Sequence, residues 1–158
     1  MTMTTKLITL LKKNNYIIST AESCTGGLIA KSITDVSGAS DVFGYGFVTY
    51  ANEAKMKILG VWEEALMLYG AVSRPVAVLM SRGAKRVSGS DIAVSVTGIA
   101  GPGGGTKEKP VGLVFISLAT PDGCICRKFN FSGTRDEIRE TVKNTAIGMV
   151  VSYLENLS

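Results

Sequence analysis

The 158-residue chain has 46% hydrophobic and 19% charged residues and a formal charge of +4, from 17 basic and 13 acidic side chains. This balance suits one soluble, globular domain over 1–158 and excludes a disordered or fibrous chain. The absence of histidine removes Ser-His-Asp and Cys-His catalysis and the commonest zinc ligand, so a base near neutral pH must be a carboxylate, a tyrosine, a thiolate or a lysine of depressed pKa.

Leu7, Leu10 and Leu11 at helical spacing predict a first helix over 4–13, and Tyr16-Ile17-Ile18 opens a strand over 16–20. Leu28, Ile29, Ala30 and Ile33 predict a helix over 25–34, with Ser23, Cys24 and Thr25 at or beside its N-cap and Gly38 in the loop that follows. A strand over 43–50 leads to Asn52, read as the N-cap of a short helix through Leu59 that Gly60 stops. Another short helix spans 62–69. Ser73 caps the next, with Pro75 in its first turn and Val76, Met80, Gly83, Ala84 and Val87 along one face.

The β-branched run 91–97 predicts a strand buried on both faces. Residues 111–119 and 124–131 form a hairpin around Thr120-Pro121-Asp122-Gly123, and a helix from about Thr134 turns Ile138, Val142, Ala146, Met149, Val150 and Tyr153 inward. The expected fold is a single three-layer α/β/α domain whose mixed sheet includes a C-terminal antiparallel hairpin. Cys24, Cys124 and Cys126 make no disulfide framework, the last two being expected on opposite sides of a strand.

No run approaches the roughly 18 apolar residues of a membrane span, and the N-terminus lacks a signal-peptide core, so cytoplasmic residence is expected. The basic residues form small groups without interleaved aromatics, which fits a small anionic ligand better than nucleic acid.

Four stretches could carry chemistry. At the strand-to-helix corner ending in Gly26-Gly27, Ser23 could project as a nucleophile while the N–H groups of Thr25, Gly26 and Gly27 face a ligand; an ordinary helix cap explains the same residues. Tyr50 at a strand end and Lys55 one turn into the next helix could converge. A helix dipole moves a lysine by less than about one pKa unit, so only burial or another cation could make Lys55 a base. The glycine-rich run from Thr97 and Gly98 through Gly101 to Gly105 matches neither nucleotide-loop motif, and reads as an amide-lined site or as a flexible connector. Ser132, Gly133, Thr134 and Arg135 suit a phosphate or carboxylate, or else form a capping box with Glu137.

Taken together, Thr20-Ala21-Glu22-Ser23-Cys24-Thr25-Gly26-Gly27, Val48-Thr49-Tyr50-Ala51-Asn52-Glu53-Ala54-Lys55, Gly70-Ala71-Val72-Ser73, Gly98-Ile99-Ala100-Gly101-Pro102-Gly103-Gly104-Gly105 with Lys109-Pro110-Val111-Gly112, and Phe131-Ser132-Gly133 resemble the CinA C-terminal domain family. Its stand-alone members include nicotinamide-nucleotide amidases. The likeness runs in order along nearly the whole chain and does not extend to the molybdopterin-binding-like domain of full-length members.

The resemblance implies hydrolysis of the carboxamide of nicotinamide mononucleotide to nicotinate mononucleotide and ammonia, with no metal and no other cofactor. It implies Ser23 as nucleophile, Lys55 as general base and Tyr50 as helper, with amides of Thr25, Gly26 or Gly27 holding the oxyanion. Thr97, Gly98, Gly101 and Arg135 would take the ribose and 5′-phosphate, and Ser40 resembles a further polar residue of the family site. Ala51 stands where a serine is frequent, and Thr134 where an aspartate is frequent, which leaves the orientation of Arg135 open. The partners expected are a small nucleotide substrate and further copies of the chain in a homo-oligomer, with neither nucleic acid nor membrane. Rival readings are Cys24 as nucleophile, its pKa lowered by a helix N-terminus, a catalytically silent nucleotide-binding paralogue, and a regulatory module.

Overall fold

Alternation along the strands sorts the apolar side chains into two layers. Ile18, Ile92, Val94, Val96, Val114, Ile116 and Leu118 pack on one side of the sheet, and Ala21, Ala93 and Ala119 on the other. In the computed structural model, which describes residues 1–157, the strands are β1 (Ile18–Glu22), β2 (Phe43–Val48), β3 (Ile92–Gly98), β4 (Leu113–Thr120) and β5 (Gly123–Asn130). They lie in the order β2-β1-β3-β4-β5. The β1 pairings to β2 and β3 are parallel, and those of β3 with β4 and of β4 with β5 are antiparallel, giving the expected mixed sheet with its terminal hairpin.

Helices α1 (Met3–Asn14), α2 (Leu28–Thr34) and α6 (Arg135–Glu155) cover the first layer through Leu7, Leu11, Ile29, Ile33, Ile138, Val142 and Val150. Helices α3 (Asn52–Leu59), α4 (Glu63–Tyr69) and α5 (Arg74–Ser88) cover the second through Leu59, Ala65, Val76, Met80 and Ala84. Among the described residues, no helix is long and apolar enough to cross a membrane.

Several local expectations change. Helix α2 starts at Leu28 rather than at residue 25, because Gly26 (φ 58°) and Gly27 (φ 103°) adopt left-handed conformations that end in an N-cap at Gly27. Strand β1 runs on to Glu22, the N-cap of α3 is Ala51 rather than Asn52, and Val87 is exposed. Cys124 and Cys126 share the α5 side of β5, since residues two apart on a strand point the same way; Cys124 packs near Ala119 and Cys126 near Ala77.

The register positions the site. Glu22 sits beside Val48 on β2 and Val96 on β3, so three adjacent parallel strands release the chain at one level. Ser23, Thr49-Tyr50 and Thr97-Gly98 therefore share one crest of the sheet. Gly112 ties the glycine loop to the start of α6: its N–H donates to Ile99 O (2.7 Å) and its carbonyl accepts from Phe131 N (2.8 Å). At φ +94°, a Cβ there would lie 1.7 Å from Phe131 O. Gly112→Ala is expected to cost about 2–4 kcal/mol, read as a lower urea midpoint at unchanged slope.

Candidate active site

Lys55 is the largest fully buried side chain, 1% exposed, and it forms no ion pair with a carboxylate among the described residues. Its Nζ donates to the carbonyls of Thr49 (2.8 Å) and Tyr50 (3.1 Å) and lies 3.1 Å from Ser23 Oγ. The carbonyls occupy two of the amine's bonding directions and the serine hydroxyl takes a third. Burial pulls the Lys55 pKa below its ordinary value, with neighbouring Cys24 the smaller influence, in the other direction. This is the burial that position on a helix could not supply.

Cys24 is buried as well, and desolvation pushes its thiol up to about 11. The helix N-terminus that was to lower it begins four residues later, at Leu28. The N-terminal amides of α2 are also occupied: buried Glu22 accepts from Ile29 N (2.8 Å), Ala30 N (3.1 Å) and Thr25 Oγ1 (2.6 Å). The corner is thus a turn anchored by its own glutamate.

Ser23, Cys24, Tyr50, Asn52, Lys55, Ala71, Val72, Thr97, Gly98, Ala100 and Arg135 line a cleft of about 210 Å³. Larger crevices lie between α4 and α5 (about 590 Å³) and between α6 and β5 (about 480 Å³), but neither brings a hydroxyl to a buried amine. At the cleft mouth, Arg135 donates to Gly101 O (2.8 Å) and to Tyr50 Oη (3.3 Å), and it pairs with no carboxylate among the described residues. Its orientation comes from the glycine loop, so Thr134 serves as an N-cap, accepting from Glu137 N. The Thr97 hydroxyl donates to Ala71 O (2.9 Å), and Lys109 Nζ donates to Tyr69 O, so the wall at 70–72 is pinned at both ends. Gly98 is required by close approach: a Cβ there would come 2.6 Å from Val114 Cγ2.

Some expected site residues stand elsewhere. Ser40 lies in a short 3-10 turn ahead of β2, at the other end of the sheet; the five residues of β1 separate it from the crest by roughly 16 Å. Within one chain it does not reach the cleft. The Gly26 N–H is spent on Ser23 O (3.1 Å), Thr25 is fully buried, and none of Thr25, Gly26 and Gly27 lines the cleft, because the left-handed glycines turn that segment away. Gly101 contributes through its carbonyl bond to Arg135.

Sequence reasoning gave no role to Glu22, to the 71–72 wall or to Arg139, which donates to Cys24 O (3.1 Å) and Thr25 O (3.0 Å). A carboxylate closing an otherwise uncharged strand was a usable signal for Glu22. None existed for Arg139.

The profile of the CinA C-terminal domain matches residues 1–154. A putative competence-damage inducible protein of Caldanaerobacter subterraneus subsp. tengcongensis is 52% identical over 149 residues, covering 94% of this chain and 36% of that protein. A CinA-like protein of Geobacter sulfurreducens is 51% identical over 146 residues, covering 92% and 35%. The chain spans about a third of the length of these curated relatives. Among solved structures, the competence/damage inducible protein CihA from Agrobacterium tumefaciens superposes with a TM-score of 0.94 at 44% identity, covering 97% of this chain and 93% of that one. Competence damage-inducible protein A from Klebsiella pneumoniae gives 0.95 at 29% identity, covering 99% and 97%.

Proposed function

The chain belongs to the CinA C-terminal domain family, and from that membership together with the cleft chemistry we propose that it is a serine–lysine amidase acting on nicotinamide mononucleotide. The observation that carries this reading is the 3.1 Å contact between Ser23 Oγ and the amine of a buried lysine that has no carboxylate partner among the described residues. Such an amine is uncharged at a lower pH than an exposed one, and its lone pair then accepts the serine proton.

Ser23 Oγ attacks the carboxamide carbon and passes its proton to Lys55. The tetrahedral adduct collapses as Lys55 returns that proton to the departing nitrogen, releasing ammonia. A water molecule, deprotonated by Lys55, then hydrolyses the nicotinoyl ester and frees Ser23. With the amides of Thr25, Gly26 and Gly27 outside the cleft, the oxyanion is assigned to the N–H of Cys24, the residue next after the nucleophile and one that lines the cleft. Tyr50 acts twice: its carbonyl orients Lys55, and its hydroxyl meets Arg135. Arg135 is a fork-shaped cation at the mouth suited to a phosphate, and the wall from Ala71 to Val72 faces the pyridine.

Ammonia release from nicotinamide mononucleotide, free nicotinamide and the dinucleotide tests reaction and recognition together. Turnover should be fastest with the mononucleotide and weak with nicotinamide, which lacks the phosphate. Binding of the mononucleotide without any ammonia would replace the amidase by a nucleotide-binding paralogue.

A further inference from the structure

Arg139 is half-buried on α6, and it donates to backbone carbonyls 115 and 114 residues away: Nε to Cys24 O and Nη2 to Thr25 O. It forms no ion pair with a carboxylate among the described residues, although Asp136, Glu137 and Glu140 lie within three positions of it. A guanidinium is thus directed at the backbone of the turn behind the nucleophile.

Following the peptides from Arg139 gives a connected path. The carbonyl of Thr25 shares a peptide with the Gly26 N–H, which donates to Ser23 O at 3.1 Å. The carbonyl of Ser23 shares a peptide with the N–H of Cys24, a residue that lines the cleft. Hydrogen bonds in series polarise one another, and a charged donor at one end strengthens the donor at the other. Glu22 fixes the same turn from its opposite side through Thr25 Oγ1.

We propose that Arg139 is a positioning residue for the oxyanion site: it fixes the 23–26 turn and, through two peptide groups, polarises the Cys24 N–H to which the oxyanion is assigned above. This rests on the acyl-transfer reading of Ser23. The charge matters mainly when the oxyanion forms, so its loss falls on kcat rather than on substrate binding.

The test uses the full chain with Arg139→Gln, which retains a donor without charge, and Arg139→Lys, which retains charge with fewer donors. With nicotinamide mononucleotide, Arg139→Gln is expected to lower kcat by about ten- to a hundredfold, with KM within about twofold of wild type and the pH at which activity rises unchanged. Arg139→Lys is expected to lie between the two. A kcat for Arg139→Gln within about twofold of wild type, a loss carried by KM, or equal losses in both variants would overturn the proposal. Should Arg139→Gln not fold, Arg139→Lys decides alone: a fall in kcat of about threefold or more at unchanged KM supports the role, and parity with wild type overturns it. If the wild-type chain releases no ammonia from any amide, the amidase reading itself fails, and this role with it.

Discussion

Ser23→Ala is expected to lower ammonia release from nicotinamide mononucleotide by about 10⁴-fold or more, the scale seen when a nucleophile is removed from a unit that works together. Cys24→Ala should keep activity within about tenfold, because only the peptide N–H of that residue takes part. The thiol is a poor competitor. At about 11 its pKa lies some four units above neutrality, which leaves roughly one thiolate in 10⁴ at pH 7. Residual turnover and mass spectra of the acylated protein, measured on both variants, check the assignment. Full activity in the serine variant with loss in the cysteine variant would transfer the nucleophile to sulfur.

Lys55→Met has two expected outcomes of different kinds. Activity should fall by about 10²–10⁴-fold, the usual range for a positioned base. In the wild type, log kcat/KM should rise with pH until Lys55 is neutral, at a pH below the ordinary lysine value; the variant should lack that limb. The second outcome concerns folding. The folded state disfavours the ammonium, so between the lowered folded pKa and 10.5 the unfolded chain binds more protons than the folded one. Stability contributed by this group is therefore fully present above 10.5 and is lost as pH falls through the folded value. The difference in unfolding free energy between wild type and Lys55→Met, followed by urea titration at several pH values, should change across that window in the wild type's favour as pH rises. A difference independent of pH would mean that the lysine titrates alike in both states, and is not a base.

The depressed lysine is the part of the site least visible in the sequence. Spacing placed Ser23 and Tyr50 at strand ends with Lys55 one turn beyond, while their pairing came from the family resemblance; the parallel register of β1 with β2 brings the two strand ends to one level. Burial of Lys55 depends on Thr49 O and Tyr50 O turning back over it, which no spacing rule encodes. Local propensity misled most at Gly26-Gly27. Apolar spacing alone extends α2 back to Thr25, but two left-handed glycines turn the amides of that corner away from the cleft. Glu22 then occupies the helix N-terminus that seemed free for a ligand. Arg139 reaches its carbonyls only through the packing of α6 on α2, a contact between chain ends that leaves no local trace. Cys124 and Cys126 are different in kind, since the period of a strand was sufficient to place them together.

The sheet order assigns the two halves of the dyad unequal fates. Ser23 follows β1, held between β2 and β3, whereas Lys55 and Tyr50 follow β2, which has a neighbour on one side only. Local opening in folded proteins starts where hydrogen-bonded neighbours are fewest. Peeling β2 from β1 would part amine from hydroxyl while β3, β4 and α5 remain assembled. If the chain is the amidase proposed above, turnover on warming is expected to fall before the whole molecule melts, leaving a protein that is silent yet still looks folded.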